Sequence, residues 1–107
     1  MLSRSNKDQI RYRDFVLDCQ KKTVTCRQQK INLTAKEYEL VEYLARNRGC
    51  VISKTKLLQN LWDAKGKFVD ENTVNVTINR VRRKIEPDLE HPIYITNVFG
   101  MGYKFGD

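Results

Sequence analysis

The sequence is poor in the residues that build reactive or metal-binding sites. It has one histidine and three cysteines in 107 residues. Cys19, Cys26 and Cys50 form no CxxC pair, and zinc would need a fourth ligand and closer spacing. His91 has no evident acid–base or metal partner. We therefore expect three reduced cysteines that are at least partly buried, an exposed His91, no metal, no cofactor and no catalytic site.

Long apolar runs are also missing. No stretch approaches the ~20 apolar residues that span a bilayer, and the first residues lack the apolar core of a signal peptide. We therefore expect a cytoplasmic protein, and 107 residues suffice for one domain. Positive charge is abundant, because 20 Lys and Arg outnumber 13 Asp and Glu, for a net charge of +7. This balance favours a polyanionic partner, either nucleic acid or an anionic membrane surface.

Residues 71–85 carry the most informative pattern. Four apolar residues recur at steps of four, three and four, as on one stripe of a helix: Val74, Ile78, Val81 and Ile85. Val76 and Arg83 point the opposite way, and the outer face from 72 to 84 has no acid. Arginine reads guanine, asparagine reads adenine, and an apolar side chain contacts the thymine methyl. The pattern therefore favours a DNA-reading helix over a basic, solvated surface helix.

The rest of the chain predicts an α+β domain over residues 10–107, preceded by a linker remnant at 1–9. Alternating apolar and polar residues over 10–33 predict four short antiparallel strands. Two helices follow. A capping box of Thr34 and Glu37 starts the first, Ser53 caps the second, and Asp70 is the expected cap of the third.

The last segment predicts a hairpin over residues 93–105, after the polar turn 86–92. Two strands, 93–98 and 103–105, flank a turn at 99–102 in which glycines supply unusual backbone angles. Residues 50–52 read as a short extended link between the first two helices. Two short helices, a basic third helix and a terminal hairpin together indicate a winged helix-turn-helix.

The chain resembles the DNA-binding output domain of OmpR/PhoB-family two-component response regulators over about residues 10–106. Four motifs in order carry the resemblance: Ile31-Asn32-Leu33-Thr34-x-x-Glu37, Leu57-Leu58-x-x-Leu61-Trp62, Thr73-Val74-x-Val76-x-Ile78-x-x-Val81-Arg82-x-Lys84, and Val98-x-Gly100-x-Gly102-Tyr103-x-Phe105. It implies a winged helix-turn-helix with an N-terminal four-stranded antiparallel sheet, three helices and a C-terminal hairpin wing.

The resemblance also implies a mechanism of transcription control. The third helix, about 71–85, enters the major groove, and the wing, 93–105, lies on the backbone or minor groove. A receiver domain, absent from this sequence, is phosphorylated and dimerises. Two output domains, monomeric when isolated, then bind direct-repeat half-sites of double-stranded DNA. The loop 63–69 contacts RNA polymerase.

Site residues follow from the resemblance and from the chain's own pattern. The base-reading positions of the family correspond to Asn75, Val76, Arg80 and Arg82. Its backbone-contacting positions correspond to Trp62, Asn72, Thr73, Thr77, Asn79, Arg83, Asn97 and Tyr103. Two lysines join the backbone set, Lys84 on a flank of the third helix and Lys54 at the start of the second, where an N-terminus favours phosphate. Lys54 is equally explained as solubilising charge, and Trp62 is favoured as a core anchor.

The expected wing tip, Phe99 and Met101, departs from the family. Many members have an arginine where this chain has Phe99. Phenylalanine either packs inward or wedges against sugars, and inward packing is the favoured interpretation.

Three other functions are weaker alternatives. A winged helix used only for protein contacts has no general reason to keep an acid-free helix face. An enzyme needs a nucleophile–base pair or clustered carboxylates, and one histidine with scattered acids offers neither. RNA binding usually brings stacking aromatics on a sheet face, for which Tyr12 and Phe15 are too sparse.

Overall fold

The computed structural model describes residues 9–62 and 71–106, and of Glu71 only the backbone. Seven strands lie in these ranges: β1 (Gln9–Tyr12), β2 (Phe15–Asp18), β3 (Thr23–Cys26), β4 (Gln29–Ile31), β5 (Val51–Ile52), β6 (Ile95–Val98) and β7 (Gly102–Phe105). Three helices accompany them: α1 (Ala35–Arg46), α2 (Lys54–Trp62) and α3 (Glu71–Ile85). None of these helices is long and apolar enough to cross a bilayer.

The N-terminal sheet is antiparallel with strand order β1-β2-β3-β4, as predicted. Its alternation places Phe15, Leu17, Val24 and Cys26 on the buried face. β1 begins at Gln9, one residue before the predicted start of the domain. The sheet therefore has one apolar face, which packs on the helical part of the chain.

Both predicted helix caps in the described residues are present. The Thr34 hydroxyl accepts a hydrogen bond from the Glu37 N–H at 3.2 Å, and the Glu37 carboxylate accepts one from the Thr34 N–H at 3.0 Å. The Ser53 hydroxyl accepts from the Lys56 N–H at 3.0 Å. These caps satisfy N–H groups that have no partner inside the helix. The predicted cap Asp70 lies outside the described residues.

The predicted hairpin is part of a three-stranded sheet of order β5-β7-β6. The predicted extended link supplies its third strand, because Val51 and Ile52 pair with Lys104 and Tyr103. Gly102 lies at a φ of 142°, and a Cβ there would sit 2.1 Å from the Ile52 carbonyl oxygen. Only glycine therefore lets β7 approach the start of α2 this closely.

The core lies where the two sheets meet the helices. All four residues of the α3 stripe are fully buried, which confirms the predicted helix phase: Val74, Ile78, Val81 and Ile85. Phe15 of β2 and Phe105 of β7 pack with ring centroids 5.0 Å apart, so aromatic rings join the N-terminal sheet to the wing sheet. The position of α3 relative to the wing is therefore set by the core.

Two predictions about single side chains are wrong. Cys26 is buried and Cys19 half-buried, but Cys50 is exposed, because it follows the end of α1 and precedes β5. His91 is exposed as predicted, but it does have a partner, since its Nδ1 lies 3.0 Å from a carboxylate oxygen of Asp88 in the same turn. A contact three residues away in a turn depends on the local backbone path, which sequence periodicity does not report.

Candidate nucleic-acid interface

The outer face of α3 carries amides and guanidinium groups around one exposed valine. Val76 is 38% exposed, although every residue of the apolar stripe is fully buried. Exposed polar side chains surround it: Asn72, Asn79, Arg80 and Arg83. Thr73 and Asn75 are half-buried at its edge. The described side chains of α3 include no acid, so this surface is complementary to a polyanion.

Asn75 is one of two predicted base readers that the wing contacts. The Tyr103 hydroxyl on β7 donates a hydrogen bond to Asn75 Oδ1. Tyr103 itself is 5% exposed, and burial raises the pKa of its hydroxyl, opposed by the nearby charge of Arg82. The hydroxyl therefore stays protonated and acts as a donor. Tyr103 was predicted to contact the DNA backbone, but its hydroxyl is occupied within the protein.

Arg82 is turned toward the wing and away from the outer face of α3. Its Nε donates to the Ile95 carbonyl at 2.9 Å, and a terminal nitrogen donates to Asn97 Oδ1. The guanidinium lies 5.7 Å from the centroid of the Tyr103 ring. Burial lowers the pKa of Arg82, but arginine remains charged at any ordinary pH. Arg82 and Asn97, predicted to contact DNA, therefore bind each other between α3 and β6.

Two more predicted backbone contacts are taken up inside the domain. Thr77 is 8% exposed, and its hydroxyl donates to the Thr73 carbonyl one turn earlier at 2.9 Å. Lys84 Nζ donates to Glu37 Oε1 at 2.7 Å, which joins α3 to the capping box of α1. Burial raises the pKa of Glu37, but hydrogen bonds from Lys84 and from the Thr34 N–H outweigh it and hold that pKa below its ordinary value of 4.5.

A groove separates the start of α2 from the wing turn. Ser53, Lys54 and Thr55 line one side, and residues 97–103 line the other. The first N–H groups of α2 and the Lys54 ammonium favour an anion there. Of these three residues, the sequence analysis assigned only Lys54 to DNA; Ser53 was predicted only as the helix cap, and Thr55 was given no role.

Trp62 at the end of α2 packs against the core, in agreement with the favoured interpretation. The Lys36 ammonium lies 5.4 Å from the centroid of its ring, and it also donates to the Leu61 carbonyl. Lys36 thus places a cation over the aromatic face and at the C-terminal end of α2.

The wing tip is apolar and points into solvent. Phe99 is 100% exposed and Met101 is 65% exposed. The prediction that Phe99 packs inward is wrong, because the turn closes through a hydrogen bond from the Met101 N–H to the Val98 carbonyl, and Phe99 occupies a central position of this turn that faces solvent. Gly100 provides the left-handed φ of 75° that this turn needs.

One group of possible metal ligands occurs in residues 9–62 and 71–106. Asp88, Glu90 and His91 share the turn after α3, and all three are exposed. Two hydrogen bonds lower the pKa of Asp88, a stronger one from His91 and a weaker one from the Glu90 N–H. The group is explained by local turn contacts.

Residues 28–105 match the family model described as transcriptional regulatory protein, C terminal. The chain belongs to this family, the output domains of OmpR/PhoB-type response regulators. The predicted family and the predicted winged-helix fold are confirmed. It is a family of DNA-binding transcription regulators, not of enzymes.

Curated relatives include the response regulator SaeR of two staphylococci. The chain is 44% identical over 102 residues to SaeR of Staphylococcus epidermidis, which covers 94% of this chain and 44% of that protein. It is 39% identical over 98 residues to SaeR of Staphylococcus aureus, covering 92% and 42%. The output domain thus spans less than half the length of these relatives.

Solved structures show the same architecture. Response regulator DrrB of Thermotoga maritima, an OmpR/PhoB homologue, superposes with a TM-score of 0.86 and 33% identity, over 94% of this chain and 45% of that one. The DNA-binding domain of RstA from Klebsiella pneumoniae, solved in complex with the RstA box, superposes with a TM-score of 0.78 over 92% of this chain and 96% of that one. Because the identity to RstA is 24%, this likeness shows the fold alone.

Proposed function

We propose that the output domain binds double-stranded DNA sequence-specifically, with α3 in the major groove and the wing on the adjacent backbone or minor groove. The exposure of Val76 carries this proposal. An apolar side chain on the outer face of α3 gains nothing from burial in the free domain. Against a thymine methyl in the major groove it gains apolar contact, and Arg80, one turn further along, can bind guanine through two hydrogen bonds.

The internal contacts divide the predicted site residues into two groups. Those with outward or edge positions are proposed to touch DNA: Asn75, Val76 and Arg80 on bases, and Lys54, Asn72, Thr73, Asn79 and Arg83 on the backbone. Those whose side chains bond or pack within the domain are proposed to hold α3 and the wing in place: Trp62, Thr77, Arg82, Lys84, Asn97 and Tyr103. In this proposal the second group shapes the interface and makes no direct contact to DNA.

The wider mechanism is a proposal about the whole regulator. In it, a receiver domain controls a pair of output domains that are monomeric when isolated and dimeric on direct-repeat half-sites. The loop 63–69, outside the described residues, is proposed to contact RNA polymerase. The SaeR relatives support a longer protein, because this chain spans less than half of their length.

A selection from a random duplex library, followed by titrations at several salt concentrations, tests the proposed DNA binding. We expect the recovered duplex to bind tighter than a scrambled duplex of the same composition. If about five phosphates are contacted, log affinity falls with log salt at a slope of about −4 to −5. Equal binding of both duplexes, or a flat salt dependence, would refute the proposal.

A further inference from the structure

One hydrogen bond joins a base-reading position to the wing. The Tyr103 hydroxyl on β7 donates to Oδ1 of Asn75, 28 residues away on α3. Asn75 itself is half-buried at the edge of the outer face of α3. The amide oxygen of Asn75 is therefore turned to the wing, and its NH2 group is turned away from the Tyr103 hydroxyl.

The surroundings of Tyr103 keep this orientation fixed. Its ring is buried, and the Arg82 guanidinium lies over it while bonded to Ile95 and Asn97 of β6. β7 is also paired on both sides, with β5 and with β6. Burial, the Arg82 guanidinium and the two neighbouring strands therefore hold the Tyr103 side chain in place.

The direction of an asparagine amide decides which base it reads. Adenine presents an acceptor, N7, beside a donor, the N6 amino group, and so needs both the nitrogen and the oxygen of the amide. Guanine presents two acceptors, N7 and O6, which suit an NH2 group with its two hydrogens. An asparagine whose oxygen faces the wing cannot also turn that oxygen to the adenine amino group, and so loses its usual match to adenine.

We propose that Tyr103 is a positioning residue that makes Asn75 a hydrogen-bond donor, so that this position of α3 selects guanine rather than adenine. The inference rests on the proposed docking of α3 in the major groove. It assigns Tyr103 an effect on sequence preference without contact to DNA. It also makes the wing, through β7, a part of base recognition in the major groove.

Selection of duplexes with wild-type protein and with three variants tests the inference. The position of the duplex at which Asn75→Ala abolishes the base preference is the base pair that Asn75 reads. We expect wild type to prefer guanine over adenine there by on the order of tenfold. In Tyr103→Phe, which keeps the ring, the freed amide can turn, and the ratio should fall to near parity or reverse. Tyr43→Phe is the matched control, because it removes a hydroxyl that accepts a hydrogen bond from Asn60 instead.

A second readout needs no DNA. In the free domain, the side-chain amide resonances of Asn75 should shift in Tyr103→Phe and stay unchanged in Tyr43→Phe.

A double variant adds a further test by duplex selection. In the Asn75→Ala background, Tyr103→Phe should leave base preference unchanged, since the amide that Tyr103 positions is gone.

Three outcomes would overturn the inference. One is a wild-type preference for adenine at the Asn75 position. Another is a Tyr103→Phe variant that binds all duplexes more weakly by the same factor and keeps the base preferences of wild type. That result is expected if the hydroxyl is purely structural or binds phosphate. The third is a wild-type domain that selects no sequence at all, and this result alone would also remove the proposed function.

Discussion

The carboxylate of Glu86 accepts hydrogen bonds from the backbone N–H of Tyr94 through both of its oxygens, at 3.2 and 3.0 Å. The N–H groups of Ile93 and Ile95 donate to the same carboxylate at 2.7 and 2.8 Å. Glu86 follows the last residue of α3 and is 6% exposed, whereas Tyr94 leads into β6. One buried carboxylate therefore attaches the proposed recognition helix to the start of the wing.

Glu86→Gln should destabilise the domain without touching its proposed DNA-binding surface. In the variant, an amide NH2 would face backbone N–H groups that donate to a carboxylate oxygen in the wild type. Hydrogen bonds to a charged group contribute about 1.5–3 kcal/mol each. We expect a loss of that size in the free energy of unfolding, measured by urea denaturation. Glu90→Gln, at an exposed position in the next turn, should change it by less than about 0.5 kcal/mol. Equal effects of the two substitutions would contradict the role of Glu86.

Arg82→Ala should act on stability, and Arg83→Ala on DNA binding. Removing Arg82 leaves the Ile95 carbonyl without its side-chain partner, so we expect a loss of about 1.5–3 kcal/mol in the free energy of unfolding. Arg83 is exposed and should contribute little to stability, but its loss should weaken selected and scrambled duplexes alike. Urea denaturation and binding titrations on both variants measure the two effects. A stable Arg82→Ala variant with altered base preference would restore Arg82 as a base reader.

The sequence predicted the parts of the domain whose signals are local. The bounds of α3 followed from apolar spacing, and the starts of α1 and α2 followed from capping residues. These features depend on residues three or four positions apart, which a helix brings together by its own geometry. The outward direction of Val76 followed from the same periodicity.

Contacts between distant elements could not be predicted in this way. Arg82 has the helical position of a flanking DNA contact, yet its guanidinium meets a carbonyl of β6, 13 residues further along the chain. Pairing of β5 with β7 likewise depends on how the helices pack. Two hairpin turns of the first sheet place Arg13 and Gln28 at φ values of 55° and 66°, where glycine or asparagine is the usual signal.

The ion pair of Lys84 and Glu37 should make stability depend on acid pH. Because the pKa of Glu37 is lowered in the folded state, its contribution is fully present above its ordinary value of 4.5 and is lost as the pH falls through the lowered value. The free energy of unfolding of Glu37→Gln should therefore be lower than that of wild type at pH 7, and this difference should shrink below about pH 4.5. Urea denaturation across this range measures it. Glu39 is an exposed residue of the same helix, so Glu39→Gln should differ little from wild type in free energy of unfolding at pH 7. A difference as large as that of Glu37→Gln would argue against a stabilising role of the Lys84 pair.

Phe99→Ala should lower DNA affinity while leaving stability unchanged. The side chain is fully exposed, so its removal should alter the free energy of unfolding by less than about 0.5 kcal/mol. If the wing lies on DNA, an apolar tip can wedge against sugars, and its loss should weaken selected and scrambled duplexes several-fold. Leu89→Ala is the control, since Leu89 is 54% exposed in the turn after α3. Unchanged affinity in Phe99→Ala would show that the wing tip does not touch DNA.

Three neighbouring positions of α3 separate reading from packing. Ile78 is fully buried and Val76 is exposed, so Ile78→Ala should lower the free energy of unfolding by about 2–5 kcal/mol and Val76→Ala by little. Arg80→Ala should also leave stability nearly unchanged, but should cost about 1–3 kcal/mol in binding to the selected duplex and much less on a scrambled one. Val76→Ala should cost less than Arg80→Ala and relax the preference at one base pair, because a valine reads only a methyl group.

Titrations of these variants on both duplexes, with thermal melts alongside, measure each effect. Thr73→Ala is the matched comparison on the same helix, because a backbone contact should weaken both duplexes equally. If Arg80→Ala behaves like Thr73→Ala, Arg80 anchors the domain to phosphate, and base reading moves to Asn75 and Val76. If neither Arg80→Ala nor Val76→Ala changes binding, the outer face of α3 does not lie in the major groove, since both side chains would meet base edges there.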